Sequence, residues 1–225
     1  MEGISLRIED IRRRIKLAAL RSGRSVNDIT LVAVSKMVDN QTVQQAYDLN
    51  IRDFGENRVQ ELVRKMEALP QARWHFIGRL QTNKVKDVVG RVCLIHSLDR
   101  WTLAEEINKR GQILESKVPV LLQVNITGEK TKTGLTIDDV DNFLDSVGEL
   151  DFIQVLGLMT IAAQDTDPET SRPVFQDLAR LRNRLQAREY KQVDLQYLSM
   201  GMSQDYEIAV EEGANIVRIG SALFI

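Results

Sequence analysis

Eight short β-branched or apolar runs recur along this chain, and no other feature narrows its fold as far: Leu31 to Val34, Arg52 to Gly55, Arg73 to Gly78, Val92 to His96, Pro119 to Asn125, Ile153 to Met159, Leu195 to Met200 and Asn215 to Gly220. Amphipathic segments separate nearly all of them, which is the β-α alternation of a parallel sheet. The apolar positions Val59, Leu62, Val63 and Met66, or Val174, Leu178, Leu181 and Leu185, follow helical spacing. Eight such units predict an α/β fold, a single (β/α)8 TIM barrel spanning residues 1–225 as one domain. An extra helix precedes the first strand, with Ile4, Ile8, Ile11, Ile15 and Ala18 on one face and Arg12-Arg13-Arg14 on a solvated one.

Charge and composition exclude several functions. Thirty basic and 32 acidic residues nearly cancel, and no basic stretch is interleaved with aromatics, so nucleic acid is not an expected partner. The N-terminus is a charged amphipathic pattern rather than a signal sequence, and no apolar run approaches the ~20 residues of a membrane span. A soluble, unprocessed protein with no membrane contact is expected. The single cysteine, Cys93, cannot form an internal disulfide, and its place in the apolar run Val92 to Ile95 predicts an inert buried thiol and a cytoplasmic home. Two histidines without a cysteine cluster predict no metal site, and no Ser-His-Asp order is present.

The residues that end the runs are polar or glycine: Ser35-Lys36, Gly55-Glu56-Asn57, Gly78, His96-Ser97, Asn125, Thr160, Gly201-Met202-Ser203 and Gly220-Ser221. In a barrel these converge on the C-terminal rim, where ligands bind. The last two have the character of a phosphate cradle, because glycines let the backbone approach while N–H groups and serine hydroxyls donate to oxygens. No Gly-x-x-x-x-Gly-Lys-Ser/Thr loop or Gly-x-Gly-x-x-Gly fingerprint is present, which favours a ligand smaller than a dinucleotide.

Strand parity then orients two cations. Val32, Val34 and Lys36 share one face of the first run, so a barrel interior filled by the valines points Lys36 at the rim. Partial desolvation there lowers a lysine's pKa and frees its amine to attack an aldehyde, the alternative being a side chain that snorkels into water. Arg218 shares parity with Ile216 and faces inward beside the first strand, suited to a phosphate, a carboxylate or a ring nitrogen, or to a structural ion pair. His75, in Trp74-His75-Phe76-Ile77-Gly78, reads either as a site residue or as a hydrogen-bonded core histidine. The polar segment Thr127 to Gly134 is a rim loop, a lid over an anionic ligand or a plain surface turn.

Ala33-Val34-Ser35-Lys36, Gly55-Glu56-Asn57 with Val59-Gln60-Glu61, Trp74 to Gly78 with Leu80-Gln81 and Asn83-Lys84, His96-Ser97, and Leu198 to Ser203 with Val217-Arg218-Ile219-Gly220 together resemble the YggS/PROSC family of pyridoxal phosphate homeostasis proteins. The resemblance implies a barrel of the alanine-racemase N-terminal type that holds pyridoxal 5'-phosphate (PLP) as a Schiff base on Lys36. It implies Arg218 at the pyridine nitrogen, Ser203, Gly220 and Ser221 at the phosphate, and Asn57, His75, Ser199 and Met200 around the ring. Lys132 and Gly134 match a family loop motif. Met37-Val38-Asp39 departs from the usual Thr-x-Pro, and Arg79 stands where histidine or a small residue is frequent.

The implied function is intracellular PLP and amino-acid homeostasis, with the cofactor held and then released or transferred rather than used for catalysis. The resembling racemases take a second proton donor from an appended domain, which is not expected here. Arginine beside the pyridine nitrogen also weakens the electron sink. The alternatives are a racemase-like PLP enzyme of low activity and a class I aldolase-like sugar-phosphate enzyme. The partners implied are PLP itself, PLP-dependent apo-enzymes or a regulatory protein. A monomer is expected, since no apolar face is left over.

Overall fold

A computed structural model describes residues 2–129, 132–162 and 167–225. Eight parallel strands close into a barrel in sequence order: β1 (Thr30–Val34), β2 (Asp53–Glu56), β3 (Arg73–Phe76), β4 (Leu94–Leu98), β5 (Val118–Gln123), β6 (Ile153–Met159), β7 (Val193–Ser199) and β8 (Ile216–Ile219). Closure is direct, with Leu31 and Val32 of β1 in register with Val217 and Arg218 of β8. The helices are α1 (Glu2–Arg21), α2 (Asn40–Asp48), α3 (Val59–Ala68), α4 (Trp101–Ile113), α5 (Ile137–Val147), α6 (Arg172–Gln186), α7 (Tyr206–Glu211) and α8 (Ser221–Phe224). A 3₁₀ segment, Thr82–Asp87, replaces the helix between β3 and β4.

The strand order is as expected, with individual strand ends displaced by up to two residues. β4 starts at Leu94 rather than Val92 and runs on to Leu98, because Val92 and Cys93 remain in the turn that follows Gly90 at φ +82°. Cys93 is accordingly exposed rather than buried. Its sulfur nevertheless donates to the Trp74 carbonyl at 3.2 Å, and desolvation pushes the thiol up to about 12. It stays protonated and unreactive by that route.

Two apolar layers hold the barrel. Val32, Leu94, Leu121, Met159 and Ile216 fill the interior. Outward residues such as Ala33, Phe54, Trp74, Phe76 and Ile95 pack beneath the helices, and each fully buried large side chain contributes about 1.5–3 kcal/mol. Ile4, Ile8, Ile11, Ile15 and Ala18 are all buried, so α1 seals the barrel where α7 and α8 lie. Arg12, Arg13 and Arg14 are exposed; Arg14 reaches Glu207 and Arg13 reaches Asp10. The end of α1 is fastened by Arg24, which donates to the Val210 and Ala214 carbonyls at 2.9 and 2.7 Å.

Candidate cofactor site

A cavity of about 720 Å³ opens at the C-terminal rim of the barrel. Six of the nine residues singled out from sequence line it: Lys36, Asn57, Ser203, Arg218, Gly220 and Ser221. Lys36 follows β1 by two residues and is the only lysine on the cavity wall among the described residues. Contrary to the expected partial desolvation, it is exposed. The cavity's mouth is open to solvent there, and Met37 beside it is 98% exposed at φ +62°, so the chain turns outward after the strand. Asp39 instead starts α2, accepting from the Thr42 N–H at 2.7 Å.

The cradle is assembled from two chain ends. Ser203 Oγ accepts from the N–H groups of Gly220 and Ala222, both at 3.2 Å, tying the turn after β7 to the turn after β8. Asp205 shapes the first of these turns: it accepts from the Met202 N–H at 2.6 Å and from the Ser171 hydroxyl at 3.0 Å. Gly201 sits at φ +90°, and a Cβ there would lie 2.5 Å from that of Ala209, so the approach of α7 requires glycine. Gly78 has no such φ, but a Cβ on it would lie 2.2 Å from the Asn57 carbonyl, which lets the turns after β2 and β3 touch.

A family model described as the alanine racemase N-terminal domain matches residues 7–225. The pyridoxal phosphate homeostasis protein of Aquifex aeolicus is 48% identical over 220 residues, covering 97% of this chain and 96% of that protein. The chain belongs to the pyridoxal phosphate homeostasis protein family. The member from Escherichia coli K12 is 36% identical over 229 residues, covering 100% of this chain and 97% of its own length. The structure of PipY from Synechococcus elongatus with PLP bound superposes with a TM-score of 0.79 at 35% identity, over 96% of this chain and 100% of that one. Alanine racemase from Clostridium difficile, at 14% identity and a TM-score of 0.74, shares the fold; the match covers 59% of its chain.

In this family member, His75, Ser199 and Met200 do not line the cavity. Ser199 and Met200 are consecutive, so one strand cannot aim both inward. Met200 packs in the outer layer, while Ser199 faces the barrel interior. His75 is the hydrogen-bonded core histidine that its sequence context allowed, held between Asp53 and His96. Beneath the cavity, Arg218 donates to Ser199 Oγ at 2.6 Å and to the Thr160 carbonyl at 2.9 Å, leaving its other N–H donors for the space it lines. Burial lowers Arg218 to about 10, an effect that Asp205 opposes, so the guanidinium remains charged at neutral pH. Burial, with His75 and Arg218 nearby, drives His96 well below the usual histidine value and holds it neutral.

Asp53 closes this interior group. Burial alone raises its pKa, but hydrogen bonds from His75 and Arg73 outweigh that and hold it below the usual carboxylate range. A depressed carboxylate contributes stability above its unfolded pKa and loses it as pH falls through the folded one. Asp53→Asn should therefore destabilise the protein at neutral pH, and the gap to wild type should narrow below about pH 4. Urea unfolding of both proteins across that range checks this.

Four residues, Glu56, Lys65, Gln123 and Thr133, take roles at the site that the sequence pattern did not assign them. Glu56 turns away from the cavity into a fully buried cluster: its Oε1 accepts from Lys65 Nζ at 2.5 Å and from Ser35 Oγ at 2.7 Å. Lys65 also donates to the Ser35 carbonyl at 2.5 Å, immediately before Lys36. Gln123 and Thr133 join the cavity wall through a 2.8 Å bond between them. That bond and the one from Asn125 to the Glu129 carbonyl anchor the Thr127–Gly134 loop to β5. Lys132 pairs with Glu129 at 2.7 Å, while Lys130 and Thr131 lie outside the described residues.

Proposed function

We propose that this protein binds PLP in the rim cavity and serves PLP homeostasis as a reversible carrier rather than as an enzyme. The bound group supplies an aldehyde that condenses reversibly with a primary amine. Lys36 offers that amine on the cavity wall, and its exposure keeps the amine within reach of incoming ligand and of water. Ser203 and Ser221 line the cavity and offer hydroxyl donors to a phosphate, and the N–H groups of Gly220 and Ala222, which donate to Ser203 Oγ, hold that hydroxyl in place with its own hydrogen left to give. Asn57 lines the same cavity and would face the ring. The observation that carries the reading is Arg218: a buried, charged guanidinium that lines the same cavity as the lysine and the cradle. A donor-only group against the pyridine nitrogen keeps that nitrogen unprotonated, which weakens carbanion stabilisation and favours storage over turnover.

PLP-dependent apo-enzymes or a regulatory protein are the recipients this reading implies, in a cytoplasmic setting, with the chain acting as one barrel domain and as a monomer. Among the described residues no helix is long and apolar enough to cross a membrane, and no side-chain cluster suited to a metal ion is present. Incubating the PLP-loaded protein with the apo form of a PLP-dependent enzyme tests the carrier role: activity should return faster than the loaded protein loses PLP to a trapping buffer. Purified protein that stays colourless and takes up no added PLP would overturn the reading in favour of a sugar-phosphate ligand.

A further inference from the structure

Five residues from five strands form one continuous hydrogen-bonded line through the barrel interior. Asp53 Oδ1 (β2) lies 3.1 Å from His75 Nε2 (β3); His75 Nδ1 lies 3.0 Å from His96 Nε2 (β4); His96 Nδ1 lies 2.9 Å from Ser199 Oγ (β7), which receives Arg218 Nη1 (β8) at 2.6 Å. All five are at least nine-tenths buried. The line ends outside at Arg73, whose exposed guanidinium grips Asp53 through two bonds of 2.9 and 2.6 Å at the N-terminal end of β3.

The two ends dictate its direction. An ionised carboxylate can only accept and a guanidinium can only donate. Arg218 fills one Ser199 lone pair, and the Asp53 end sets the rest: the carboxylate takes the hydrogen on His75 Nε2, a His75 with that single hydrogen accepts on Nδ1 from His96 Nε2, and His96 Nδ1 is left to accept the serine hydrogen. Every link is satisfied, and in the neutral chain reversal would set two donors or two acceptors face to face. Arg218 has no carboxylate in direct contact among the described residues, so the line is also its connection to a counter-charge.

We propose that Asp53, His75, His96 and Ser199 are positioning residues that form a one-way hydrogen-bond relay, orienting Arg218 toward the ring nitrogen of bound PLP and carrying the state of the cavity to the Asp53–Arg73 pair at the far end of the barrel. The relay itself stands without the PLP reading; the orientation of Arg218 toward a ring nitrogen and the transmission of the cavity's state both rest on it. Hydrogen bonds in series polarise one another in a low-dielectric interior, so a change in what Arg218 faces alters the donation along the whole line.

The chain's two histidines are both in the relay, so nitrogen NMR of imidazole-labelled protein reports on nothing else. In the full chain without PLP at neutral pH, both rings should carry hydrogen on Nε2 and none on Nδ1. Hydrogen on Nδ1 of either ring overturns the relay whatever the ligand proves to be. Ser199→Ala should shift His96 Nδ1, which loses its donor, and leave His75 in the same tautomer; if this variant does not fold, the wild-type tautomers decide alone. Adding PLP should move the nitrogens of both rings further than inorganic phosphate does, since phosphate brings no ring to face Arg218. Rings that ignore PLP in protein shown by borohydride reduction to carry it overturn the transmission, and equal movement with phosphate does the same. A protein that shows the predicted tautomers but takes up no PLP sinks the cofactor reading while the relay survives.

Discussion

Lys36→Ala should abolish the absorption band at about 420 nm that PLP bonded to a lysine amine produces, together with any borohydride-stable adduct on the peptide containing Lys36. The effect is expected to be complete because no second lysine lines the cavity among the described residues. The cradle and Arg218 remain, so the variant should still take up PLP without the covalent link, at an affinity lower by about 10-fold or more, or at least 1.4 kcal/mol. An exposed side chain can be truncated with little effect on folding, within about 0.5 kcal/mol. Ligand linkage separates the two effects. Saturating PLP at about 100 times Kd stabilises a folded protein by about 2.7 kcal/mol, so the variant's thermal shift at the same PLP concentration should shrink while its ligand-free Tm holds. Absorption, reduction followed by peptide mass analysis, and thermal melts test this together. A variant that keeps the band places the reactive amine elsewhere.

Lys65→Ala should be the most damaging single substitution outside the apolar core. Lys65 and Glu56 are 1% and 0% exposed as side chains, and removing the cation leaves a buried carboxylate whose Oε2 already lacks a hydrogen-bond partner. Breaking a buried pair from one side costs about 3–5 kcal/mol, which for a chain of this size lowers Tm by about 10 °C or more. Replacing both members with apolar groups of similar volume, Glu56→Leu with Lys65→Met, should recover much of that loss, because neither charge is then stranded. The same cation holds the Ser35 carbonyl, so the single variant should also load PLP less completely at temperatures where it remains folded. Chemical unfolding of Glu56→Leu, Lys65→Met and the double variant gives the cycle; additive losses would show that the residues do not act as a pair.

Much of the site was legible because strand parity is a local property. Alternation placed Lys36 with Val32 and Val34, and Arg218 with Ile216, and the barrel brings both to one cavity. The glycine and serine pattern after β7 and β8 likewise marked a cradle whose two turns meet through Ser203. Parity also sets Ser199 and Met200 on opposite faces, and His96 on the same face as the interior Leu94. Lys65 gave no such warning, since a lysine on an amphipathic helix is ordinarily solvated.

The order and type of the elements, the helix that covers the barrel and the rim residues follow from local pattern, because periodicity and turn chemistry act over a few neighbouring residues. That Lys65 answers Glu56, that Lys36 stays open to water, and that Asp53, His75, His96, Ser199 and Arg218 join into one line emerges from the folded barrel alone. Those partnerships depend on the stagger of the strands around the closed barrel, which sets the height at which each inward side chain meets its neighbours. No local pattern encodes that height.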